Sequence, residues 1–441
     1  MGNPMKKMKR EEEEEEGRDR LSQLPDDILI NILLPLLDLK TLTLTSTLST
    51  RWRNLYLSTA RHLNIFHITV PDARYPRRSA SSAVAKALSD LQHLVKISGL
   101  TVTIRISYGA DQSRGPKAAL RFALSRDVEH LNFRPHFADD YVSQHAVMNL
   151  PFSYSKTSGY NQRRQYCSPF YSKAYRRWYL GLPRELSASR WLKTLRLHNC
   201  HLPEQRFRLP ATVTGLHADR CLFEDGNHRR MLFDFNTISP GLEELTIFNC
   251  DFVGEGISWL LGTEERVDVR IVGGSKLKSL TIKCNKFSSG YCTPTKISAP
   301  VLTSFRLVVH VLRQGVVSVD FPSLKNAVVD FFEYFKETNF FPECSDQEER
   351  DRVCADLCRL LQGLHNSESL SLSSTVIKAL NAAPPEMLEE QSSPFVRLKR
   401  LKIGGVDNPE GNLPELCSEV KGYLLGGSPG AELVSSLWPY N

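Results

Sequence analysis

Cysteine and histidine offer this chain its widest chemistry, and neither falls in a pattern that uses it. The sequence holds 10 cysteines and 12 histidines. A disulfide framework crowds its cysteines into a short chain, whereas these are scattered over 441 residues. A zinc site draws on closely spaced Cys/His pairs, yet no Cys-x-x-Cys occurs. Cys354 and Cys358 stand four apart, which places both on one helix face. There they are either two metal ligands or two small apolar side chains turned to a core, and the core is the use expected. The catalytic signatures are missing too: no GxSxG elbow, no HExxH, no Walker loop, no GxGxxG after a strand. No carboxylate or thiol is fixed beside a histidine by sequence, so any triad would have to be assembled in space.

One other constellation has chemical potential. Residues 138–183 hold Tyr154, Tyr160, Tyr166, Phe170, Tyr171, Tyr175, Trp178 and Tyr179 among Arg163, Arg164, Lys173, Arg176 and Arg177. Aromatics interleaved with cations serve single-stranded nucleic acid binding by stacking and phosphate contact. The same mixture makes protein-recognition hot spots. A loop packed on its neighbours with its arginines in water has this composition as well, and is the first expectation.

The rest of the chain decides what positions such groups. An apolar fraction of 41% and a charged fraction of 24% belong to a folded protein, not a disordered one. A net charge of +7 permits an acidic partner without demanding one. No apolar run has the length of a membrane span, and Glu11 to Glu16 occupy the place of a signal peptide's apolar core. The expectation is a protein of the cytoplasm or nucleus, with no membrane association, whose residues 1–19 form a solvated charged tail. The basic cluster Lys6, Lys7, Lys9 and Arg10 also fits a nuclear-localisation patch.

Residues 20–60 read as a small helical unit. Pro25 suits a first helical turn, and Asp26 and Asp27 suit the positive helix end. Ile28, Leu29, Ile32, Leu33, Leu36 and Leu37 then form one wide apolar stripe, which Pro35 interrupts. Leu39, Leu42 and Leu44 mark a second helix, and Ser49 can cap a third that begins near Trp52. So short a segment cannot bury that much apolar surface by itself, which points to a protein partner.

Leu24-Pro25-Asp26-Asp27-Ile28-Leu29, Ile32-Leu33, Leu48-Ser49 and Trp52-Arg53-Asn54-Leu55 together resemble the F-box motif of the plant F-box/leucine-rich-repeat family. The array is in register over about a tenth of the chain, with Thr41 departing where the family often carries an acid.

Beyond the box a short apolar signature recurs. Leu192-x-x-Leu195-x-Leu197-x-x-Cys200-x-Leu202 is the clearest copy, followed by copies from Val213, Leu242 and Leu277. Weaker ones start at Leu302, Leu324 and Leu398, with degenerate copies at Val128 and at Leu370-x-Leu372. Each L-x-L predicts a short strand with one buried face, stacked in parallel on the next. Cys200, Cys221, Cys250 and Asn285 fall where the chain turns inward, and their short polar side chains can satisfy bared backbone groups there. The starts at 192, 213, 242, 277 and 302 are unevenly spaced, as in an irregular solenoid with inserted loops. Ser82 to Leu94 reads as a helix and Leu100 to Ile106 as a strand, together a capping repeat. From about residue 348 a helix through Val353 to Leu364, a strand at Leu370 and a strand at Leu398 loosely resemble the FBD-like C-terminal region of plant F-box proteins. Gly426-Gly427 to Gly430 reads as a flexible end.

The predicted class is therefore α/β: a three-helix F-box over 20–60, then a leucine-rich-repeat solenoid with a parallel β-sheet over 80–441. The resemblance implies the substrate-recognition subunit of an SCF-type ubiquitin ligase, itself non-catalytic and without metal or cofactor. Its partners would be a Skp-family adaptor, through it a cullin-RING scaffold, and an unidentified target protein; the alternatives are an F-box/repeat interaction protein that delivers no substrate, and a nucleic-acid binder through the aromatic-basic residues 138–183. Leu24, Pro25, Ile28, Leu29, Ile32, Leu33, Leu48 and Trp52, with Ser49 as a cap, are the adaptor-binding residues it implies. Sequence does not separate those facing the adaptor from those inside the box.

Overall fold

The structure is a computed structural model describing residues 24–33, 49–55 (save 53), 65–70, 99–106, 114–137 (save 126–127), 180–203 (save 183), 207–225, 230–254, 268–284, 294–309, 318–331, 347–404 (save 390) and 415–435. No helix among them is long and apolar enough to cross a membrane.

Alternating L-x-L segments become strands because a period of two puts both leucines on one face. Twelve form the main sheet: β1 (Ile65–Val70), β2 (Gly99–Ile106), β3 (His130–Phe137), β5 (Thr194–His198), β7 (Gly215–Asp219), β10 (Glu244–Phe248), β13 (Ser279–Cys284), β15 (Ser304–Val309), β17 (Asn326–Phe331), β18 (Ser369–Leu372), β19 (Arg400–Ile403) and β20 (Glu432–Ser435). Every neighbouring pair is parallel, and the order across the sheet is the order along the chain. A doubly wound sheet reverses its order at a switch point. This one never does, which is compatible with a repeat solenoid.

Register makes the repeat explicit. Leu131, Leu195, Leu216, Leu245, Leu280, Phe305, Ala327, Leu370 and Leu401 stand side by side. Two residues on, Phe133, Leu197, Ala218, Ile247, Ile282, Leu307, Val329, Leu372 and Ile403 form a second row. Both rows are buried. The residues three before the first row are buried as well: Leu192, Val213, Leu242, Leu277, Leu302, Leu324 and Leu398, with Ser367 in the place of a leucine. Ser367 Oγ donates to the Leu364 carbonyl at 2.7 Å, which is how a hydroxyl is buried without loss.

Two further parallel sheets back the first part of the stack: β4 (Leu180–Gly181), β6 (Cys200–Pro203), β8 (Leu222–Asp225) and β11 (Asp251–Gly254), then β9 (Arg230–Asp234), β12 (Asp268–Val272), β14 (Lys296–Ser298) and β16 (Ser318–Asp320). Phe223, Phe252 and Phe233 join them, with ring centroids 5.2–5.4 Å apart. From β17 onward helices do this work: Gln347–Gly363, Ser374–Asn381, Pro385–Glu389 and Ser418–Leu425.

The expected strand at Leu100–Ile106 is β2, and the helix expected through Val353–Leu364 is Gln347–Gly363. The glycine-rich C-terminal stretch is a correction. Gly426 caps the Ser418–Leu425 helix, and a side chain at Gly427 would place its Cβ 2.7 Å from the Phe395 carbonyl. The stretch is a packed turn into β20, not a flexible end. The charged tail, the Ser82–Leu94 helix, Asn285 and the aromatic-basic residues up to Tyr179 lie outside the described residues.

Candidate functional site

The N-terminal box starts from Pro25, whose carbonyl accepts the Ile28 and Leu29 amides, both at 3.1 Å. Asp26–Leu33 is helical from there, its two acids in the first turn. Ser49 Oγ accepts the Trp52 amide at 3.3 Å, the N-cap contact expected of it. Residues 50–52 and 54–55 continue as helix. Arg51 ties the two pieces together: its guanidinium reaches Asp26 Oδ1 at 2.7 Å and the Leu24 carbonyl at 2.5 Å. Sequence reasoning missed Arg51, although an arginine two residues after a cap and an acid at a helix start are each visible in it.

The candidate adaptor-binding residues fall into different environments. Leu29 is 1% exposed and Ile28 is 46% exposed. Leu24 and Trp52 are half-buried, whereas Pro25 and Ser49 are exposed. Ile32 and Leu33 lie on the Asp26–Leu33 helix, but their side chains, like Leu48 and the segment of the expected second helix, are outside the described residues. Adjacent apolar residues on a helix point about 100° apart, so Leu29 serves the interior and Ile28 is turned outward.

The second region is the open face of the main sheet. The L-x-L rows face the core, so the third and fifth positions of each strand face away. From β3 to β15 the third positions are Asn132, Arg196, His217, Thr246, Thr281 and Arg306, and the fifth are Arg134, His198, Asp219, Phe248, Lys283 and Val308, of which Val308 is buried. The only acid among these twelve, Asp219, accepts from His198 Nδ1 at 2.7 Å and has Arg220 Nε at 3.9 Å. His217 is held below the usual histidine range, first by burial and then by the neighbouring His198. Sequence reasoning passed over these side chains, although each sits at a fixed offset from a leucine already identified.

Among the described residues, the buried cysteines serve the fold. Asn199, Arg220 and Asn249 have left-handed backbones (φ 49°, 50° and 49°) and each precedes a cysteine. That conformation turns the chain inward, and Asn tolerates it better than most residues. The Cys221 thiol donates to the Leu197 carbonyl at 3.5 Å and Cys250 to Ala218 at 3.4 Å, while Cys250 Sγ accepts the Cys221 amide at 3.3 Å. Burial raises both thiols well above the usual range. Cys354 and Cys358 lie in the core, where burial pushes them up to about 12 and about 11. Among the described residues no group of three or more His, Cys, Asp and Glu could hold a metal ion.

No protein-family model matches the chain. Three curated Arabidopsis thaliana proteins do align with it. One, named an F-box/LRR-repeat protein, is 25% identical over 297 residues, covering 66% of this chain and 51% of its own length. A second, named an F-box/FBD/LRR-repeat protein, is 24% identical over 87% of this chain and 68% of its own length. A third, named an F-box protein, is 22% identical over 87% of this chain and 71% of its own length. The chain resembles the plant F-box/LRR-repeat proteins. It spans about half the length of the first of these relatives. The F-box/LRR-repeat resemblance extends well past the forty residues of the box motif, because alignments over 87% of the chain must include the parallel strands.

Proposed function

We propose that this chain is the substrate-recognition subunit of an SCF-type ubiquitin ligase, with residues 20–60 forming a three-helix F-box that docks on a Skp-family adaptor. The stack of strands then presents a target protein to the ubiquitin-conjugating machinery carried by a cullin-RING scaffold. On this reading the chain supplies no chemistry; it raises the local concentration of the target's lysines beside the activated ubiquitin. It acts in the cytoplasm or nucleus, where that machinery works.

The observation that carries the reading is the contrast between neighbours in the box, Leu29 at 1% and Ile28 at 46% exposure. A large aliphatic side chain turned to solvent beside a fully buried one, inside an LPDDIL segment, is what a docking helix needs. Leu24, Pro25, Ile32, Leu33, Leu48 and Trp52 complete the proposed adaptor contact, with Ser49 capping the helix that carries Trp52.

The test is a pull-down of a plant Skp-family adaptor by the full chain. Ile28→Ala should weaken binding by about 2 kcal/mol, roughly thirtyfold, with the melting temperature unchanged. Leu29→Ala should act differently, by lowering the stability of the box. No binding by the wild-type chain would overturn the proposal. Ubiquitin transfer to a co-purified partner in the reconstituted ligase separates a delivering subunit from one that only holds the adaptor.

A further inference from the structure

We propose that the open face of the main sheet between β3 and β15 binds an acidic peptide segment of a partner protein, in extended form and running across the strands. The inference rests on the target-binding role above and names the chemistry of the target.

The charges of this sheet are distributed unequally. Along its leading edge, one residue before a strand, three of the cations are paired: Lys193 with Glu129 at 2.7 Å, Lys278 with Glu243 at 2.8 Å and Lys399 with Glu368 at 2.7 Å. Across the open face they are not. Arg134 donates only to Asn132 Oδ1, at 3.1 Å, and Lys283 lies 5.4 Å from the centre of the Phe248 ring. Among the described residues neither these two nor Arg196 and Arg306 has a carboxylate within ion-pair distance. Asp219, the one acid at those positions, is engaged by His198 and Arg220. Burial and His198 chiefly hold His217 below the usual histidine range; Arg196 and Arg134 add smaller pushes in that direction, against the larger opposite pull of Asp219. A folded sheet gains nothing from gathering like charges on one face, whereas a complementary partner gains attraction and orientation from it.

Spacing defines the partner. Arg196 and Arg306 occupy the same strand position four strands apart, about 19 Å at the usual inter-strand separation. An extended chain covers that distance in about six residues. Phe248 lies between the two cationic ends and offers an apolar contact under the middle of the peptide. A peptide acid–apolar–acid in pattern, with its acidic groups about six residues apart, fits. Phe248 is the one Phe, Tyr or Trp at the third and fifth positions of these strands, and the His198 and His217 rings, 6.2 Å apart, stand on neighbouring strands, so stacking of single-stranded nucleic acid is made an outcome of the test.

The experiment is fluorescence anisotropy of the full chain with a labelled twelve-residue peptide carrying two Glu-Asp pairs six residues apart and a central leucine. Binding should be saturable at 50 mM salt and fall with added salt. Arg196→Gln/Arg306→Gln and, independently, Lys283→Gln/Arg306→Gln should each weaken it at least about tenfold without lowering the melting temperature. Lys278→Gln on the paired edge should change it less than about twofold. A peptide with its acidic pairs three apart should bind more weakly than the six-apart peptide. Absence of binding, or equal loss in the edge variant, overturns the proposal. So does a twelve-residue oligouridine that binds more tightly than the peptide to the same arginines. A tenfold gain when Glu11–Glu16 are replaced by glutamine would overturn it differently, by making the chain's own acidic run the occupant. Adaptor pull-down on the same preparations keeps the two readings apart. Adaptor binding without peptide binding removes only this proposal, and peptide binding without adaptor binding removes only the ligase role.

Discussion

The first and last parts of the stack leave the main sheet in different ways. After β5, β7 and β10 the chain passes through a left-handed residue, Asn199, Arg220 or Asn249, into a buried cysteine and on toward a second sheet. After β18 it leaves one residue earlier in register, at Ser373, whose backbone is extended (φ −70°, ψ 159°) and whose hydroxyl caps the helix Ser374–Asn381. The Ser373 oxygen also accepts the Phe331 amide of the preceding repeat at 3.0 Å. Cysteine and serine thus do the same bookkeeping of backbone polar groups between repeats. The main sheet keeps one register throughout, so the L-x-L rows set the sheet, and one or two residues after each strand choose whether strands or helices back it.

Four measurements break or sharpen that comparison. The largest effect is expected in thiol reactivity. With its pKa pushed up from 9.0 to about 12 by burial, Cys354 should be alkylated at pH 8 roughly a thousandfold more slowly in the folded chain than in urea, at tenfold per pKa unit. Cys221 and Cys250, whose thiols burial also raises, should be slowed in the folded chain as well, read by mass spectrometry of each tryptic peptide. Faster labelling of those two would mean that the cysteine turns are looser than the helical half.

Next in size is Phe252→Ala, which removes one ring of the Phe223–Phe233–Phe252 cluster and should cost about 3–5 kcal/mol in urea unfolding. A cost below 1 kcal/mol would show that the two backing sheets do not depend on each other. Ser373→Ala and Asn199→Ala compare the two exits directly. The first loses a cap and a buried hydrogen bond, the second a favourable left-handed residue and its 3.0 Å bond to the Pro135 carbonyl. Each should cost about 1–2 kcal/mol. A markedly larger cost for one would identify the exit that holds the stack together.

The smallest effect belongs to the paired edge. The carboxyls of Glu243 and Glu368 are held below the usual range by hydrogen bonds from Lys278 and Lys399. A depressed carboxyl stabilises the fold above its unfolded pKa and loses that contribution as pH falls through its folded pKa. Both groups are open to solvent, so Glu368→Gln should leave the melting temperature at pH 7 within error and only flatten its decline in acid. A clear drop at pH 7 would make the edge pairs structural rather than neutralising.

The main sheet was largely legible because its signal is periodic and apolar. Repeat starts from Val128 to Leu398 each lead into an observed strand, even where Ala327 stands in for a leucine. The backing sheets were not legible. Strands such as β6 and β14 are three or four residues long and bury one or two side chains, too few for alternation to emerge. The last strand was hidden because two glycines were read as freedom when close contacts require them, Gly426 against the Gly422 carbonyl and Gly427 against the Phe395 carbonyl. In the box, the LPDDIL register was plain, but which of Ile28 and Leu29 turns outward depends on the helix phase set by Pro25 and on Arg51 reaching back to Asp26. A short apolar stripe fixes a face only within a turn.

The strictly sequential strand order has one more consequence. β3 and β5 are hydrogen-bonded neighbours although the whole 138–183 segment intervenes. The entropy of closing such a detour grows only with the logarithm of its length. Each position on the open face is thus addressed by its two adjoining strands alone. Material can be spliced in or trimmed between any pair, and the reading surface rewritten one rung at a time, while every other rung keeps its place.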